Sequence, residues 1–203
     1  MGRFQEFNHY IFDFDMTLFD TSSGMAPCYR AAFDAVGCDH DFRESDVRDY
    51  LRGELAETYS QLHANGTLRQ FQDAFRSTEP DVSRMEPFPE TKRTLVRLHD
   101  LCKPVSVVAG EPASLVHRVL KENGMDWLVG TVVGQGDYGK PKPSSEPLDA
   151  CVSKVGVPKA ECVYIGDSKD DMESARSAWM TGILIDRTGE TYGSIQFLDD
   201  ILP

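Results

Sequence analysis

The sequence predicts an α/β protein with a doubly wound, mostly parallel, Rossmann-like sheet and an inserted all-helical cap domain. Five short β-rich runs are spread along the chain, and helical periodicity fills the intervals between the last four. The long interval between the first two runs shows helical patterns throughout. Alternation of strands and helices is typical of parallel sheets, because each helix carries the chain back to the start of the next strand.

The core domain is predicted to comprise residues 1–20 and 89–203. Its strands are expected at residues 9–14, 104–109, 128–134, 162–166 and 182–186. Its helices are expected at residues 90–102, 112–123, 147–155 and 171–180. The second of these helices opens on Pro112 and closes before Gly124, a pairing that marks helix starts and stops.

The cap domain is predicted to span residues 21–88. Helical patterns cover residues 25–36, 44–51, 55–64 and 68–76, and no segment between them has a convincing strand pattern. Arg48, Arg52 and Tyr59 lie on these helices and are candidates for substrate contact. A place on solvated helix faces is the more ordinary explanation for all three.

Composition and charge exclude several classes of function. A hydrophobic content of 40% with 27% charged residues describes an ordinary globular protein. The net charge of -12 argues against a nucleic-acid partner, because phosphate backbones bind surfaces rich in Lys and Arg. Five scattered cysteines without a CxxC pair favour reduced thiols over disulfides or zinc. With no long apolar run and no apolar leader, we expect a cytoplasmic protein that binds no membrane.

Acidic side chains follow two of the predicted strands. Asp13 and Asp15 end the first strand and point to the same side if strand geometry holds. At about 4 Å and an effective dielectric near 20, their repulsion costs about 4 kcal/mol. A fold tolerates this repulsion when a bound cation or a reaction uses the two acids. Asp167 and Asp171 follow the fourth strand. Because parallel strands end at one edge of a sheet, these acids are expected to meet there and hold Mg²⁺, although an acidic loop is the simpler alternative.

The turn after the fourth strand has further local signals. Gly166 permits a tight strand-to-helix turn and the close approach of a neighbouring group. Either Ser168 or Asp170 can cap the helix that follows, which is a purely structural role for one of these polar residues.

The loop after the third strand carries two lysines and a glycine motif. Lys140 and Lys142 can each pair with phosphate as a point charge, and a solvated loop position is expected for one of them. Residues 134–139 match G-x-G-x-x-G. A nucleotide-binding loop needs a helix to start at the glycines, and prolines at positions 141 and 143 delay that helix. We therefore expect no nucleotide there.

Three segments together resemble the haloacid dehalogenase-like phosphohydrolase superfamily, in particular its phosphoglycolate phosphatase-like branch with a helical cap. Residues 12–20 are similar to the family's D-x-D-x-T-L-x-D signature, and residues 164–171 to its G-D-S-x-x-D motif. Residues 142–148 are similar to its K-P-x-P-x-P-L segment, with Ser145 in place of one proline. The resemblance covers essentially the whole chain, and its spacing favours Lys142 over Lys140 as the site lysine.

The resemblance implies a Mg²⁺-dependent phosphatase that hydrolyses a small organic phosphate monoester. In that reaction Asp13 is the nucleophile that becomes an aspartyl phosphate. Asp15 is first the general acid for the leaving group and then the general base for water. Lys142 neutralises the nucleophile and the phosphate.

The resemblance also implies the binding residues. Mg²⁺ would be held by Asp13, by Asp15 through its backbone carbonyl, and by Asp167, with Asp171 in support. The phosphate or substrate would be bound by Thr17, Ala109 and Gly110. Arg52, chosen from its charge and its place on a cap helix, is the expected substrate-binding residue of the cap. The partner is then a small phosphorylated metabolite, and the protein is expected to be a monomer or a weak homodimer.

Two positions depart from the family pattern. Ala109 stands where the family's second motif ends its strand in a Ser or Thr that binds phosphate, and losing such a donor costs roughly 10²–10³ in rate. The Gly110 N–H can still donate, whereas Ser106 lies three residues too early. Trp179 replaces a usual glycine, which we interpret as a packing position.

Two alternative functions stay open. A sugar-phosphate mutase on the same scaffold is disfavoured, because family mutases tend to place a basic residue three positions after a cap glycine and Gly53 is followed by Glu54, Leu55 and Ala56. A phosphate-ligand sensor or interaction protein without turnover has Ala109 as its only support.

Overall fold

The computed structural model describes residues 7–38 and 42–202, and these form two compact units. The first unit comprises the described residues up to Phe19 together with those from Pro87 onward, and the second comprises those from Asp20 to Glu86. The cap boundaries expected from the sequence, 21 and 88, lie within two residues of this division.

The five predicted strands and the predicted helices occur in the expected order, and two short strands, at Phe19–Asp20 and Glu86–Pro87, occur in addition. The strands are β1 (His9–Phe12), β2 (Phe19–Asp20), β3 (Glu86–Pro87), β4 (Val105–Val108), β5 (Thr131–Val133), β6 (Cys162–Gly166) and β7 (Thr181–Leu184). The helices are α1 (Ser22–Val36), α2 (Val47–Tyr50), α3 (Leu55–Ser60), α4 (Leu68–Ser77), α5 (Thr91–Asp100), α6 (Ala113–Glu122), α7 (Glu146–Val155) and α8 (Lys169–Ser177).

The first unit is built on a five-stranded sheet in the order β5-β4-β1-β6-β7. All neighbouring strands are parallel, which confirms the predicted fold class. Every residue of β1, β4 and β6 is buried, as expected for central strands that helices cover on both faces. None of the described helices combines the length and apolar character that crossing a lipid bilayer requires.

The second unit has a core of its own, formed mainly by α1 and α4. Aromatic rings fill the space between the helices: Phe33 lies 5.7 Å from Phe71 and 5.6 Å from Tyr50 between ring centroids. Tyr29 contacts Phe75 edge to face at 4.9 Å. Such pairs contribute beyond the area that they bury.

Several predicted boundaries are wrong, and each error has a physical reason. β1 ends at Phe12 rather than at residue 14, because the chain turns at Met16, which has a φ of 59°. β5 begins at Thr131 rather than at residue 128, because a short 3₁₀ turn occupies Asp126–Leu128. The prediction of no strand within 21–88 misses β3, a two-residue strand that pairs with β2. An apolar sequence pattern can continue from a strand into the tight turn beside it, so the pattern alone does not show where the strand begins or ends.

The interpretation of position 179 as a packing site is also wrong. Trp179 is 89% exposed and has a left-handed φ of 58°. Its N–H donates to the Arg176 carbonyl, and the Met180 N–H donates to the Ala175 carbonyl. These two bonds form the Schellman motif that closes α8, in which the left-handed position favours glycine. Glycine is therefore preferred here for its backbone and not for space.

Candidate active site

Three side chains from separate segments surround the Lys142 ammonium group at the carboxyl edge of the sheet. Lys142 Nζ donates to Asp13 Oδ1 at 2.6 Å, to Asp171 Oδ1 at 2.7 Å and to the Tyr164 hydroxyl at 3.2 Å. Asp13 follows β1, Tyr164 lies in β6 and Asp171 lies in the first turn of α8. All three are buried. The parallel topology thus brings together residues that are more than a hundred positions apart in sequence.

Of the two lysines left open by the loop sequence, only Lys142 is in this cluster. Lys140 is exposed, and its backbone N–H donates to Glu146 Oε2. The glycine motif at residues 134–139 is followed by turns, and α7 begins only at Glu146. Gly134 has a different local reason, because an added Cβ would lie 2.3 Å from the Ala113 backbone nitrogen.

Tyr164 is the member of the cluster that the sequence reasoning missed. Its hydroxyl donates to Asp171 Oδ1 at 2.7 Å while it accepts from Lys142. Burial raises the pKa of this hydroxyl well above its ordinary value, and the charge of Asp171 adds to the effect. The residue looks like core in sequence because its strand neighbours are apolar. The available signal was a tyrosine within an apolar predicted strand, three residues before Asp167, because a phenol that is buried usually finds a hydrogen-bond partner.

The start of α8 holds Asp171 in place. Ser168 Oγ accepts from the Asp171 N–H at 3.1 Å, and Asp171 Oδ2 accepts from the Ser168 N–H and hydroxyl at 3.0 and 2.6 Å. Ser168, rather than Asp170, is therefore the capping residue. An added Cβ at Gly166 would lie 2.4 Å from Asp171 Cγ, which confirms the close approach expected at that glycine.

Burial and charge set the ionisation of the cluster. Burial raises the pKa of Asp13 well above its ordinary value; Lys142 opposes this, and the charges of Asp171, Asp167 and Asp15 add to it. Burial disfavours the charge on Lys142, but Asp13 and Asp171 more than offset that and raise its pKa. Asp171, although buried, has a lowered pKa because Lys142 and its other donors stabilise the carboxylate.

Three carboxylates of the cluster could hold a cation. Asp13, Asp167 and Asp171 offer oxygen atoms that all lie within 4.8 Å of one another. Within the described part of the chain, the Asp15 side chain is not a member of this set, although it is buried and its charge acts on Asp13. Burial is the main cause of the raised pKa of Asp13, and the charges of Asp171, Asp167 and Asp15 add to it, which reflects an excess of negative charge around this carboxylate. An all-oxygen donor set with this excess fits a hard divalent cation.

The turn that follows Asp15 is anchored on both sides. Thr17 is buried, and its hydroxyl donates to Asp13 Oδ2 at 3.3 Å. Arg187 Nη2 donates to the Thr17 carbonyl at 2.7 Å, while its Nη1 pairs with Glu90 Oε1 at 2.5 Å. The guanidinium lies over the Phe88 ring at 3.4 Å from the centroid. The sequence reasoning gave Arg187 no role, because it lies far away along the chain.

The end of β4 offers backbone groups but no side-chain hydrogen-bond donor. Ala109 is fully buried, and an added Cβ at Gly110 would meet no atom within 4 Å. Ser106 is occupied in the core, where its hydroxyl lies 2.8 Å from His9 Nε2. The Tyr138 hydroxyl donates to the Ala109 carbonyl at 3.0 Å.

The three cap candidates belong to the second unit. Arg48 pairs with Asp20, and the Tyr59 hydroxyl donates to the Gly66 carbonyl at 2.7 Å. Arg52 lies 4.0 Å from Asp49. The structure therefore gathers Asp13, Lys142, Asp167 and Asp171 with Thr17 beside them, and it places Arg52 with the helical unit.

Comparison with known proteins places this geometry in a family. A model of the haloacid dehalogenase-like hydrolases matches residues 10–185. Pyrophosphatase PpaX of Bacillus velezensis is 27% identical over 170 residues, which cover 83% of this chain and 78% of that protein. Phosphoglycolate phosphatase of Vibrio vulnificus is 29% identical over 204 residues, which cover 93% and 86%.

A solved structure agrees with the fold. A protein from Bacteroides fragilis, described as a haloacid dehalogenase-like hydrolase, superposes with a TM-score of 0.82 at 22% identity, and the match covers 94% of this chain and 93% of that one. The family model spans all three motifs on which the resemblance depends, so the predicted enzyme class is confirmed. This chain belongs to the haloacid dehalogenase-like hydrolase family.

Proposed function

We propose that this protein is a Mg²⁺-dependent phosphatase that hydrolyses a small organic phosphate monoester through an aspartyl-phosphate intermediate. The observation that carries the proposal is the contact of Lys142 with two buried carboxylates, Asp13 and Asp171, beside a third, Asp167. A lone lysine among acids neutralises them only in part, and this combination suits an incoming phosphate with a divalent cation. Relatives named phosphoglycolate phosphatase and pyrophosphatase support phosphate-containing substrates.

In the first half-reaction Asp13 is the nucleophile. One carboxylate oxygen of Asp13 attacks phosphorus, and the bond between phosphorus and the ester oxygen breaks as the new bond forms. Lys142 and Thr17 hold the two oxygens of Asp13, so the carboxylate is oriented before the substrate arrives. Lys142 also stabilises the charge that gathers on the phosphoryl oxygens.

Asp15 moves the proton in both halves of the reaction. It donates a proton to the departing ester oxygen, which leaves as an alcohol. The resulting carboxylate then takes a proton from water, and that water attacks the phosphorus of the aspartyl phosphate. Inorganic phosphate leaves, Asp13 recovers its carboxylate and Asp15 recovers its proton.

The metal would be held by Asp13, Asp167 and the backbone carbonyl of Asp15. When bound, Mg²⁺ neutralises charge on the phosphoryl oxygens and so permits an anionic ester to approach the acids. Asp171 supports this site indirectly, since both of its oxygens are already hydrogen-bonded to Lys142, Tyr164 and Ser168.

Phosphate release from a panel of phosphoesters tests the proposal. The panel includes phosphoglycolate, sugar phosphates and pyrophosphate, each with and without MgCl₂. We expect turnover of at least one ester that requires Mg²⁺ and falls at least about 10³-fold in Asp13→Asn, as expected for loss of a nucleophile. Asp100→Asn, at the exposed end of α5, is the matched control and should retain full activity. Turnover that survives Asp13→Asn would place the reaction elsewhere.

A ligand sensor without turnover is the second candidate. The absence of a side-chain hydroxyl at Ala109, beside the nucleophile strand, favours it. Thermal stabilisation by phosphate esters with no release of phosphate would support this function.

The proposal also includes an assembly state and a location. We propose a monomer or a weak homodimer in the cytoplasm, and light scattering tests the assembly state.

A further inference from the structure

We propose that the Tyr138 hydroxyl supplies the phosphate hydrogen bond that Ala109 cannot make. This inference rests on the proposed phosphatase function, and it identifies Tyr138 as a phosphate-binding residue. In this chain, Tyr138 would therefore compensate for the Ser or Thr that is missing at position 109. The donor would come from the loop after β5 instead of from the end of β4.

The first argument is the position of the missing donor. β4 pairs directly with β1, whose end carries Asp13, so a phosphoryl group on Asp13 faces the end of β4. That end offers Ala109 and Gly110, which have no side-chain hydrogen-bond donor. A transferring phosphoryl group spreads its charge over three equatorial oxygens, and each needs a donor or a cation.

The second argument is the geometry of Tyr138. Its hydroxyl lies 3.0 Å from the Ala109 carbonyl oxygen, at the residue where the donor is missing. Tyr138 packs against a cluster of buried core residues that includes Val108 and Val133. The side chain is half-buried, which leaves the phenol at the border between core and site.

The third argument is electrostatic. Burial raises the pKa of the Tyr138 hydroxyl, Lys142 lowers it, and Glu111, Asp13 and Asp137 raise it. The hydroxyl therefore lies within the field of both Lys142 and Asp13, and it keeps its proton at neutral pH. A phenol has one hydrogen to donate, and a phosphoryl oxygen is a stronger acceptor than the Ala109 carbonyl because of its charge. Rotation of the O–H bond transfers the hydrogen bond from one acceptor to the other.

Steady-state kinetics on the best ester of the panel test the inference in four proteins: wild type, Tyr138→Phe, Ala109→Ser and the double variant. We expect Tyr138→Phe to lower kcat/KM by about 10- to 100-fold, at or below the loss found for an oxyanion-hole donor. Ala109→Ser should restore most of that loss in the double variant and change the wild type much less. Tyr192→Phe, at a fully exposed tyrosine, is the matched control and should have no effect.

Two outcomes would overturn the inference while leaving the phosphatase proposal intact. One is a Tyr138→Phe activity within about twofold of wild type. The other is a loss of activity that Ala109→Ser does not restore, because a merely structural role for Tyr138 would not respond to a hydroxyl at position 109.

A binding measurement separates this inference from the proposed function. Calorimetry with orthovanadate and with inorganic phosphate, each in MgCl₂, needs no turnover. We expect Tyr138→Phe to bind about tenfold more weakly than wild type, and the double variant to recover the affinity. Equal affinities in wild type and Tyr138→Phe would overturn the inference even if no ester is hydrolysed. A wild type that neither binds these anions nor hydrolyses any ester overturns both proposals.

Discussion

At the scale of single residues, the ammonium group of Lys142 explains which side chains surround it. An ammonium group has three hydrogens, and Asp13, Asp171 and Tyr164 accept one each. The charge is therefore fully hydrogen-bonded although it is buried, which is the condition under which a fold tolerates a buried ion. Tyr164 is part of this arrangement even though a core strand is where sequence reasoning expects packing alone.

Tyr164→Phe tests that arrangement. The substitution leaves one hydrogen of Lys142 and one lone pair of Asp171 without a partner in a buried place. We expect the free energy of unfolding to fall by about 1–3 kcal/mol, and kcat to fall more than KM changes. Urea denaturation and steady-state kinetics provide the two readouts, with Tyr192→Phe as the exposed control. Unchanged stability would show that the phenol does not support Lys142.

The residue scale also shows how far the site could be predicted. Asp13, Lys142, Asp167 and Asp171 were all expected from strand ends and motif spacing, and the structure brings them together. Their individual roles in catalysis stay predictions. Arg52 was chosen from charge and helix position alone, which do not determine where a side chain on a separate unit lies.

At the scale of elements, α8 ends at the cost of backbone strain. The Schellman motif requires a left-handed residue, and Trp179 occupies it with a φ of 58°. A residue with a Cβ pays about 1–2 kcal/mol for that conformation. The exposed ring regains little of this by packing, since 89% of its surface is open to solvent.

Trp179→Gly should therefore stabilise the protein. Glycine adopts the left-handed conformation freely but loses more freedom on folding, so we expect a net gain of about 0.5–1 kcal/mol in the free energy of unfolding. Thermal and chemical denaturation measure it. Trp127→Gly is the matched control, because Trp127 is also exposed but its backbone is not left-handed. A loss of stability in Trp179→Gly would show that the ring makes contacts that outweigh the strain.

At the scale of the whole molecule, a buried polar contact ties the centre of the sheet together. His9 Nε2 in β1 lies 2.8 Å from the hydroxyl of Ser106 in β4, and both residues are buried. Burial lowers the pKa of His9 from its ordinary value of 6.5. The folded protein thus holds this imidazole neutral at a pH where the unfolded chain protonates it.

Proton binding at His9 therefore predicts how the stability of the fold depends on pH. Below about pH 6.5 the unfolded state binds a proton that the folded state does not, so the free energy of unfolding falls as the pH falls, by at most about 1.4 kcal/mol per unit. Above this range His9 contributes no slope. We expect wild type to lose stability more steeply than His9→Gln between pH 6.5 and pH 5 in urea denaturation. Parallel curves for the two proteins would contradict the prediction.

The sequence by itself determined the α/β class, the strand ends that carry the acidic side chains, and the family. It could do so because apolar periodicity, strand-end acids and motif spacing are local signals that survive without coordinates. The tertiary structure alone decided that Tyr164 contacts Lys142, that Arg187 contacts the Thr17 carbonyl, and that the Tyr138 hydroxyl reaches the Ala109 carbonyl. These contacts join segments whose approach depends on how strands pair and helices pack, and no local pattern encodes such distances.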